Sequence, residues 1–506
     1  MRSNILTRLC LGLAFSSLLL TSCDKLENIP VPEIPQVIKD KDATFYALVG
    51  GKQLAKFSLL TYKTAKSTVT IDGMESGEVL LGIDFRPATG QLYGVGSTSR
   101  LYVINPETGK ARAVGAGPFS PVLNGAMVGF DFNPTVDRIR LVTSSGQNLR
   151  LNPETGTVAA TDGSINGGSS PMITGAAYTN NKSGASTTVL YDIDVNTDKL
   201  YKQDPPNNGT LVEVGSLGVD LKGNGGFDIA PDGIVALAAY DDKLYYVNVD
   251  NGIAVSLGSL GGLTNVTGLA IKTDPVAYTV SGPSLLIFNP MTGVITPKGI
   301  TGMPAGEEVL GVDFRPATGQ LYALSSASKI YTLNLGTGLA TMVGAAPFAT
   351  PLSGTSFGFD FNPTVDRIRI VSNTGQNLRV HPETGAVAFV DGMINMAGAS
   401  VNGAAYTNNF AGATTTALYD IDMMGNRLFL QNPPNDGVLS PVGPLGITIT
   451  NNRGGFDIGG MSNTGYALLT TAMGTWVYNI NLSTGAATQY AQFIGATTGF
   501  AVGLGF

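Results

Sequence analysis

The chain has 506 residues and a net charge of −7, and only 13% of its residues are charged. Binding to a polyanion needs clustered Lys and Arg, because much of the affinity comes from counterion release. The sequence contains no such cluster, so we predict that the protein does not bind nucleic acid. Its 66 glycines and 27 prolines, together with many Val, Thr, Tyr and Phe residues, are typical of short strands joined by tight turns.

The first 22 residues have the pattern of a bacterial lipoprotein signal peptide. Arg2 and Arg8 flank the start of an apolar run, Leu9–Leu20, that is too short for a typical membrane-spanning helix. The run ends in Leu20-Thr21-Ser22-Cys23, which resembles a lipobox, in which the cysteine becomes the acylated N-terminus. We therefore predict an exported protein, lipidated at Cys23 and attached to the outer membrane or cell surface by lipid alone. An ordinary secretory signal with an incidental cysteine is the alternative.

Residues 23–43 contain Pro30, Pro32 and Pro35 among mixed charges, without the periodicity of a strand or a helix. This composition predicts an extended tether between the lipid and the folded body. Removal of the signal peptide would leave Cys23 as the one cysteine of the mature chain. We therefore predict no intramolecular disulfide, even in an oxidising compartment.

From residue 44 onward the chain is duplicated. GFDFNPTVDRIR begins at Gly129 and again at Gly358, and GAAYTNN begins at Gly175 and again at Gly403. Several such blocks recur in the same order, which chance does not produce. We predict two halves, residues 44–275 and residues 276–506.

A shorter repeat runs through both halves, because a glycine followed by an apolar or small tripeptide recurs about every 45 residues. The repeat glycines are Gly82, Gly129, Gly175, Gly226, Gly268, Gly311, Gly358, Gly403, Gly455 and Gly499. Each unit has room for four short strands, and this period is typical of β-propeller blades. We predict an all-β fold, a β-propeller built from about ten four-stranded blades.

The blades could form one ten-bladed ring or two five-bladed rings. Phe45–Ile71 has the pattern of a blade without its first strand, and Thr498–Val502 that of a first strand alone. We therefore predict that the N-terminal and C-terminal strands close a shared blade, which would hide two sheet edges. With two rings, Thr267–Ile271 would close the first half as Thr498–Val502 closes the second.

The GFDFNPTVDRIR block, followed by GAAYTNN and by LYDID at Leu190–Asp194, resembles the bacterial family known as domain of unknown function 4394. These motifs occur in the same order twice, and the resemblance covers nearly all of residues 44–506. The resemblance implies an exported β-repeat protein. It supplies no established activity and no catalytic residues.

An aspartate stands two residues after six of the repeat glycines, at Asp84, Asp131, Asp228, Asp313, Asp360 and Asp457. Residues two apart share one face of a strand, and the first strand of a blade lines the central channel, so these side chains should face the ring axis. One interpretation is that these side chains bind either a polyol or a cation, such as a structural calcium ion. The other is that each aspartate caps backbone N–H groups of a neighbouring blade. We predict no other cofactor and no further metal site.

The densest charge group, Asp137, Arg138 and Arg140, recurs as Asp366, Arg367 and Arg369. A wider polar set around it comprises Asp131, Arg138, Arg140, Gln147, Asn148 and Arg150, with copies at Asp360, Arg367, Arg369, Gln376, Asn377 and Arg379. Arg and amide groups suit a carboxylate or sugar ligand, so these are the candidate ligand-binding residues. A network of salt bridges and hydrogen bonds between blades is the alternative. Asp192 and Asp194, copied as Asp420 and Asp422, fit either paired carboxylate chemistry or the polar face of a strand.

We predict no catalytic residue. Gly354–Gly358 matches the GxSxG pattern, but it leads into a predicted strand instead of a helix, and His381 is the only histidine. The preferred hypothesis is a monomeric, lipid-anchored envelope protein that binds a glycan, peptide or protein partner. The competing hypothesis is an extracellular polysaccharide hydrolase or lyase that uses the ring-facing aspartates.

Overall fold

The computed structural model describes residues 33–394, 396 and 398–506. The predicted signal peptide, Cys23 and the first part of the predicted tether lie outside the described residues. The last part of the tether lies against the body, where Gln36–Lys39 form a four-residue helix, α1, and Ile38 is buried in the core of the first half. Within the described ranges, we find no helix with the length and apolarity needed to cross a membrane.

The described chain contains forty strands in ten four-stranded antiparallel sheets. The first half contributes β1 (Thr44–Val49), β2 (Gln53–Ser58), β3 (Ser67–Thr70), β4 (Leu80–Phe85), β5 (Leu92–Gly96), β6 (Leu101–Ile104), β7 (Ala111–Val114), β8 (Val128–Asn133), β9 (Arg138–Thr143), β10 (Asn148–Leu151), β11 (Val158–Thr161), β12 (Ile173–Tyr178), β13 (Leu190–Asp194), β14 (Lys199–Gln203), β15 (Leu211–Ser216), β16 (Gly225–Ile229), β17 (Ala236–Tyr240), β18 (Lys243–Val247), β19 (Ala254–Ser259) and β20 (Val266–Ile271).

The second half contributes β21 (Ala277–Ser281), β22 (Ser284–Phe288), β23 (Ile295–Gly299), β24 (Val309–Arg315), β25 (Gln320–Ser325), β26 (Lys329–Leu333), β27 (Ala340–Val343), β28 (Phe357–Asn362), β29 (Arg367–Ser372), β30 (Asn377–Val380), β31 (Val387–Val390), β32 (Gly403–Tyr406), β33 (Leu418–Asp422), β34 (Arg427–Gln431), β35 (Leu439–Pro444), β36 (Gly455–Ile458), β37 (Gly465–Thr471), β38 (Gly474–Ile480), β39 (Ala487–Phe493) and β40 (Thr498–Val502). Short 3-10 helices cover Leu59–Thr61, Pro206–Asn208 and Pro434–Asp436.

Asn-Pro-Glu-Thr-Gly turns join some of these strands, as at residues 152–156. In the turn between β10 and β11, the side-chain oxygen of Asn152 accepts a hydrogen bond from the backbone N–H of Glu154. Gly156 closes the turn at a φ of 69°, a left-handed conformation that glycine adopts without steric cost. The Asn-Pro-Glu-Thr-Gly motif is therefore explained by the local geometry of a tight turn.

In each half, the first strands of five sheets contact one another in cyclic order. The order is β4, β8, β12, β16, β20 and back to β4 in the first half, and β24, β28, β32, β36, β40 and back to β24 in the second. We call these two sets of sheets the first ring and the second ring.

The predicted shared sheet of N-terminal and C-terminal strands is wrong. β1 pairs with β20, placing Phe45 opposite Ile271, while β40 pairs with β21, placing Val502 opposite Ala277. Each half therefore closes on itself, and the cyclic sets contain five sheets each. Loop length discriminates weakly between these pairings, and either pairing covers the open edges, so the sequence alone did not decide between them.

The repeat glycines lie where first strands of adjacent sheets pack backbone against backbone. A Cβ atom on Gly226 would lie 2.1 Å from the backbone nitrogen of Leu269, and one on Gly129 would lie 2.6 Å from the Cβ of Ala176. Glycine is thus required by close approach of neighbouring strands at these positions.

The core lies between adjacent sheets, where large side chains of one sheet pack against the next. Tyr93 contacts Phe132 edge to face, with ring centroids 5.2 Å apart. The equivalent pair in the second ring, Tyr322 and Phe361, has the same geometry at 5.0 Å. The duplicated sequence therefore builds duplicated packing between sheets.

Candidate functional site

Three aspartates converge at the inner edge of each ring, and we call each set a triad. The triads are Asp84, Asp131 and Asp228 in the first ring, and Asp313, Asp360 and Asp457 in the second. Within a triad, one carboxylate oxygen from every residue lies within 4.8 Å of the others. All six side chains are at most 1% exposed. The structure therefore confirms that the repeated aspartates face one another.

Each triad aspartate also accepts a hydrogen bond from the first strand of a neighbouring sheet. In the first ring, the backbone N–H groups of Phe132, Tyr178 and Ile271 donate to Asp84, Asp131 and Asp228 at 2.8, 3.1 and 2.5 Å. In the second ring, those of Phe361, Tyr406 and Val502 donate to Asp313, Asp360 and Asp457 at 2.8, 3.0 and 2.7 Å. The aspartates therefore link adjacent sheets, as one of the two sequence interpretations predicted.

The environment of the triads disfavours ionised carboxylates. Burial and the charge of Asp228 raise the pKa of Asp84 well above its ordinary value, and burial with the charges of Asp84 and Asp228 does the same for Asp131. Among the described residues, Asp131 Oδ2 has no hydrogen-bond partner. Three adjacent negative charges at a buried site are unfavourable, so a triad needs protons or a cation to neutralise it.

Arg140, from the predicted ligand-binding group, is buried between two sheets. It donates to the hydroxyl of Tyr178 at 3.2 Å and to the side-chain oxygens of Asn148 and Asp162 at 2.7 Å. Its Nη2 atom donates to Asn207 Oδ1 at 2.8 Å. Since Tyr178 and Asn207 belong to the next sheet, these bonds hold two sheets together.

The other predicted residues of the first half are also bonded within the fold. Arg150 donates to both carboxylate oxygens of Asp162, at 2.8 and 2.9 Å. The side chain of Gln147 bonds two backbone groups of residues 122–124. Arg138 donates to the carbonyl of the preceding residue at 2.8 Å. The structure thus brings Arg140, Asn148 and Arg150 together around Asp162, whereas Asp131 belongs to the triad.

The second half repeats this network. Arg369 donates to Tyr406, Asn377, Asp391 and Asn435, Arg379 donates to Asp391, Arg367 donates to the carbonyl of Asp366, and Gln376 bonds residues 351–353. The bonds of Arg369 to Tyr406 and Asn435 reach the neighbouring sheet and its loop, as the inter-blade alternative predicted, whereas those of Arg367, Gln376 and Arg379 stay within one sheet and the loops beside it. Asp162 and Asp391 are the carboxylates at the centre of the two networks, and the sequence analysis did not identify them. The signal was their constant spacing, because each lies 12 residues after an arginine that it binds, Arg150 or Arg379.

Asp192 and Asp194 differ in environment although they share a strand. Asp192 is fully buried, and among the described residues neither of its carboxylate oxygens has a hydrogen-bond partner. Burial raises its pKa to about 8 even though Arg140 lies nearby, and Asp420 in the second half has the same environment. Asp194 instead accepts bonds from Thr197 Oγ1 at 2.6 Å and from the N–H of Met172 at 2.8 Å. The two carboxylates therefore do not act as a matched pair.

The GxSxG segment lacks the setting of a nucleophile elbow. Gly354–Gly358 runs directly into strand β28, as predicted. His381 is a turn residue, because its Nδ1 accepts the N–H of Glu383 just as Asn152 accepts that of Glu154 in the first half.

A cleft of about 820 Å³ lies between the two rings, a volume typical of ligand sites. The first ring lines it with residues 46, 85, 89–92, 103–108 and 110–112, the connection between the rings with residues 272–276, and the second ring with residues 410–412, 461, 462, 466 and 504–506. Phe410, Met461 and Phe506 contribute apolar surface, and the charged lining residues are Glu107, Lys110, Arg112, Lys272 and Asp274. Sequence reasoning missed this site, because residues distant in the chain form it.

The two copies diverge at the cleft. Where the rings meet elsewhere, the hydroxyl of Tyr278 bonds the hydroxyl of Ser183 at 2.7 Å and a backbone carbonyl of the first ring. The equivalent residues are Tyr46 and Ala411, which both line the cleft. Ala411 has no hydroxyl, and Tyr46 donates to Glu107 at 3.1 Å instead. This difference between the halves was the one sequence signal for the cleft.

Arg112 is a cleft cation without a counter-ion among the described residues. Its Nη1 donates to the carbonyl of Ala113 at 3.1 Å, and burial lowers its pKa. The neighbouring charge Glu107 is already paired, with Lys56 at 2.6 Å. The cleft therefore combines an uncompensated guanidinium with an apolar wall.

Two solved structures are similar to the chain. The first is the extracellular domain of a one-component system, BT4673 of B. thetaiotaomicron, with 10% identity, a TM-score of 0.24, and coverage of 90% of this chain and 75% of the other. The second is PorZ, a surface component of the type-IX secretion system of Porphyromonas gingivalis, with 14% identity and a TM-score of 0.25. That alignment covers 89% of this chain but 59% of PorZ, less than two thirds of its length. No curated protein sequence matches the chain.

The profile of one protein family matches the chain twice, over residues 53–270 and residues 285–501. The two matches fall on the two rings and span most of the sequence. The chain therefore belongs to the family described as domain of unknown function DUF4394, and it carries two tandem copies of that domain.

Proposed function

We propose that the protein is a non-catalytic binding protein of the cell envelope, built from two five-bladed β-propellers, with its ligand site in the cleft between them. The observation that carries this proposal is the uncompensated charge of Arg112 beside an apolar wall. A partly buried cation without a partner costs free energy, and an anionic ligand would recover it. Sites at the junction of two folded units are common places for ligands.

The lining of the cleft favours a peptide with a free carboxylate and a large apolar side chain. A guanidinium binds a carboxylate through two parallel hydrogen bonds. Phe410, Met461 and Phe506 offer apolar surface to the rest of the ligand. Polar side chains such as Gln91, Asn105 and Thr108 also line the cleft, so the preference for a peptide over a glycan rests on this apolar surface beside Arg112.

No observation favours the hydrolase or lyase alternative. The ring-facing aspartates are buried and bonded to neighbouring strands, where a polymer chain does not reach them. The sequence also suggested Asp192 and Asp194 as paired carboxylates. Asp192 is buried, and Asp194 accepts a hydrogen bond from Thr197 in the following turn.

The envelope location is part of the proposal and rests on the sequence of residues 1–23. We expect Cys23 to carry the lipid and the protein to act as a monomer on the outer membrane or cell surface. Labelling of cells with radioactive palmitate should mark the wild-type protein. A Cys23→Ala form that still takes up the label would contradict lipidation at this residue.

The binding site can be tested with a panel of synthetic peptides ending in aromatic or aliphatic residues, each made as the free acid and as the C-terminal amide. We expect free acids to bind, and their amides to bind at least about ten-fold more weakly, a difference of about 1.4 kcal/mol. Arg112→Gln should cause a similar loss. Isothermal titration calorimetry with the purified full chain measures both effects.

Arg453→Gln is the matched control, because Arg453 is an exposed arginine of the second ring that does not line the cleft. The proposal fails if no peptide binds, or if Arg112→Gln and Arg453→Gln weaken binding equally. A glycan panel measured in parallel would overturn the peptide assignment if a glycan binds and Arg112→Gln abolishes that binding.

A further inference from the structure

We propose that each aspartate triad binds one oxygen-preferring cation such as Ca²⁺, so that the chain holds two buried ions, one per ring. This inference is independent of the cleft and its ligand. It gives the triads a role beyond the hydrogen bonds that link neighbouring sheets.

The first support is the convergence of three carboxylates. A point at the centre of three oxygens that lie within 4.8 Å of one another is at most about 2.8 Å from each, so a small inward shift of the side chains gives the distances of about 2.3–2.6 Å at which calcium binds oxygen. The three residues of the first triad come from strands β4, β8 and β16, and those of the second from β24, β28 and β36. The same constellation is thus built twice from equivalent strands.

The second support is an unpartnered oxygen in each triad. Asp131 is fully buried and its Oδ1 accepts the N–H of Tyr178, whereas its Oδ2 has no partner among the described residues. Asp360 repeats this arrangement, and Asp313 Oδ1 is also without a partner. Buried carboxylate oxygens are normally bonded, so an orphan at the same place in both rings points to a ligand.

Protonation is the competing way to neutralise a triad. One shared proton serves two carboxylates at a time, whereas one divalent ion contacts three oxygens from three strands at once. The three-way convergence therefore favours the cation.

The test is the metal content of the purified full chain, measured by inductively coupled plasma mass spectrometry after dialysis against Ca²⁺ and removal of free metal. We expect two ions per chain in the wild type. Asp131→Asn should retain one, and Asp131→Asn with Asp360→Asn should retain none. Asparagine keeps the acceptor for the N–H of Tyr178 or Tyr406 while removing the charge.

Asp192→Asn with Asp420→Asn is the matched control, because these buried aspartates lie outside the triads; it should retain two ions. A second measurement needs no variant, since Ca²⁺ should raise the Tm of the chelator-treated wild type. The proposal is overturned if the wild type holds no ion and its Tm is the same in Ca²⁺ and in chelator. Equal ion loss in the control and triad variants would also overturn it.

Discussion

At the residue scale, the polar residues that the two halves share form hydrogen bonds and ion pairs within the fold. Arg140 is 2% exposed and donates hydrogen bonds to Tyr178, Asp162 and Asn207. Asp162 is the central acceptor, because it receives both Arg140 and Arg150. Burial acts to raise the pKa of Asp162, but hydrogen bonds from the two arginines bring it below its ordinary value.

Replacing Asp162 with Asn should therefore destabilise the protein. Arg140 would stay buried without its counter-ion, which costs about 3 kcal/mol. We expect a clearly lower Tm and denaturant midpoint for Asp162→Asn. Asp220→Asn is the control, because its pair with Lys222 is mostly exposed and such pairs contribute at most about 1 kcal/mol. Equal midpoints for the two variants would show that the network is not stabilising.

The buried aspartates Asp192 and Asp420 make stability depend on pH. Burial raises their pKa from 3.8 to about 8, so the folded state binds more protons than the unfolded state between these values. Their contribution is fully present below the unfolded pKa and is lost as pH rises toward 8. In the double variant Asp192→Asn, Asp420→Asn, both side chains are amides that do not ionise, so this dependence on pH should be absent.

Thermal unfolding of the wild type and this double variant should be compared between pH 5 and pH 9. Relative to the wild type, the variant should gain on the order of a few kcal/mol in free energy of unfolding across this range. Its Tm relative to the wild type should rise accordingly. Parallel curves for the two proteins would contradict the buried, protonated state of these side chains.

At the scale of the elements, the position of a strand in its ring explains which of its residues must be small. The first strand of each sheet packs on two neighbouring first strands, so its side chains must be small where backbones approach. Gly226 is the clearest case, with the Leu269 nitrogen 2.1 Å from an added Cβ. The same strand carries Asp228, whose side chain bonds β20.

Gly226→Ala should therefore push β16 away from β20 and lower stability by roughly 1–3 kcal/mol, the usual cost of overpacking. Gly299→Ala is the control, since a Cβ on Gly299 meets no atom within 4 Å and its φ is not in the left-handed region. Circular dichroism during heating measures both. A Gly226→Ala protein as stable as Gly299→Ala would contradict the close packing of first strands.

At the scale of the whole molecule, each half contains all the strands that close its ring. The rings are also bonded to each other, since Arg86 donates to the carbonyl of Gly319 at 3.0 Å and Gln320 donates to Glu154 at 3.1 Å. Ring closure is therefore local to a half, whereas the cleft needs both halves.

We propose that residues 33–275 form an independently folding unit. Expressed alone, this fragment should be a monomer that unfolds cooperatively, because the β1–β20 pairing closes its ring. Its Tm should be lower than that of the full chain, since the contacts of Arg86 and Glu154 with the second ring are lost. Gel filtration and thermal unfolding measure these properties. An aggregated or unfolded fragment would show that the halves depend on each other.

Much of the fold could be predicted from the sequence, because turns and repeats are local signals. The repeat glycines and the position of Asp131 and its equivalents on the inner face of first strands followed from residue spacing. The pairing partner of β40 could not be predicted from the sequence, because pairing with β1 or with β21 would cover open sheet edges equally well. The burial of Arg140 did not follow either, since its partner Asn207 lies 67 residues away, in the 3-10 helix between β14 and β15.

The sequence by itself determined the number and type of the sheets, the duplication and the family, because these depend on periodicity and on short motifs. Only the tertiary structure decided that the sheets close as five and five, that the aspartates meet in two triads, and that a cleft opens between the rings. These features depend on contacts between residues far apart in the chain. Their geometry is set by packing, which spacing along a sequence does not specify.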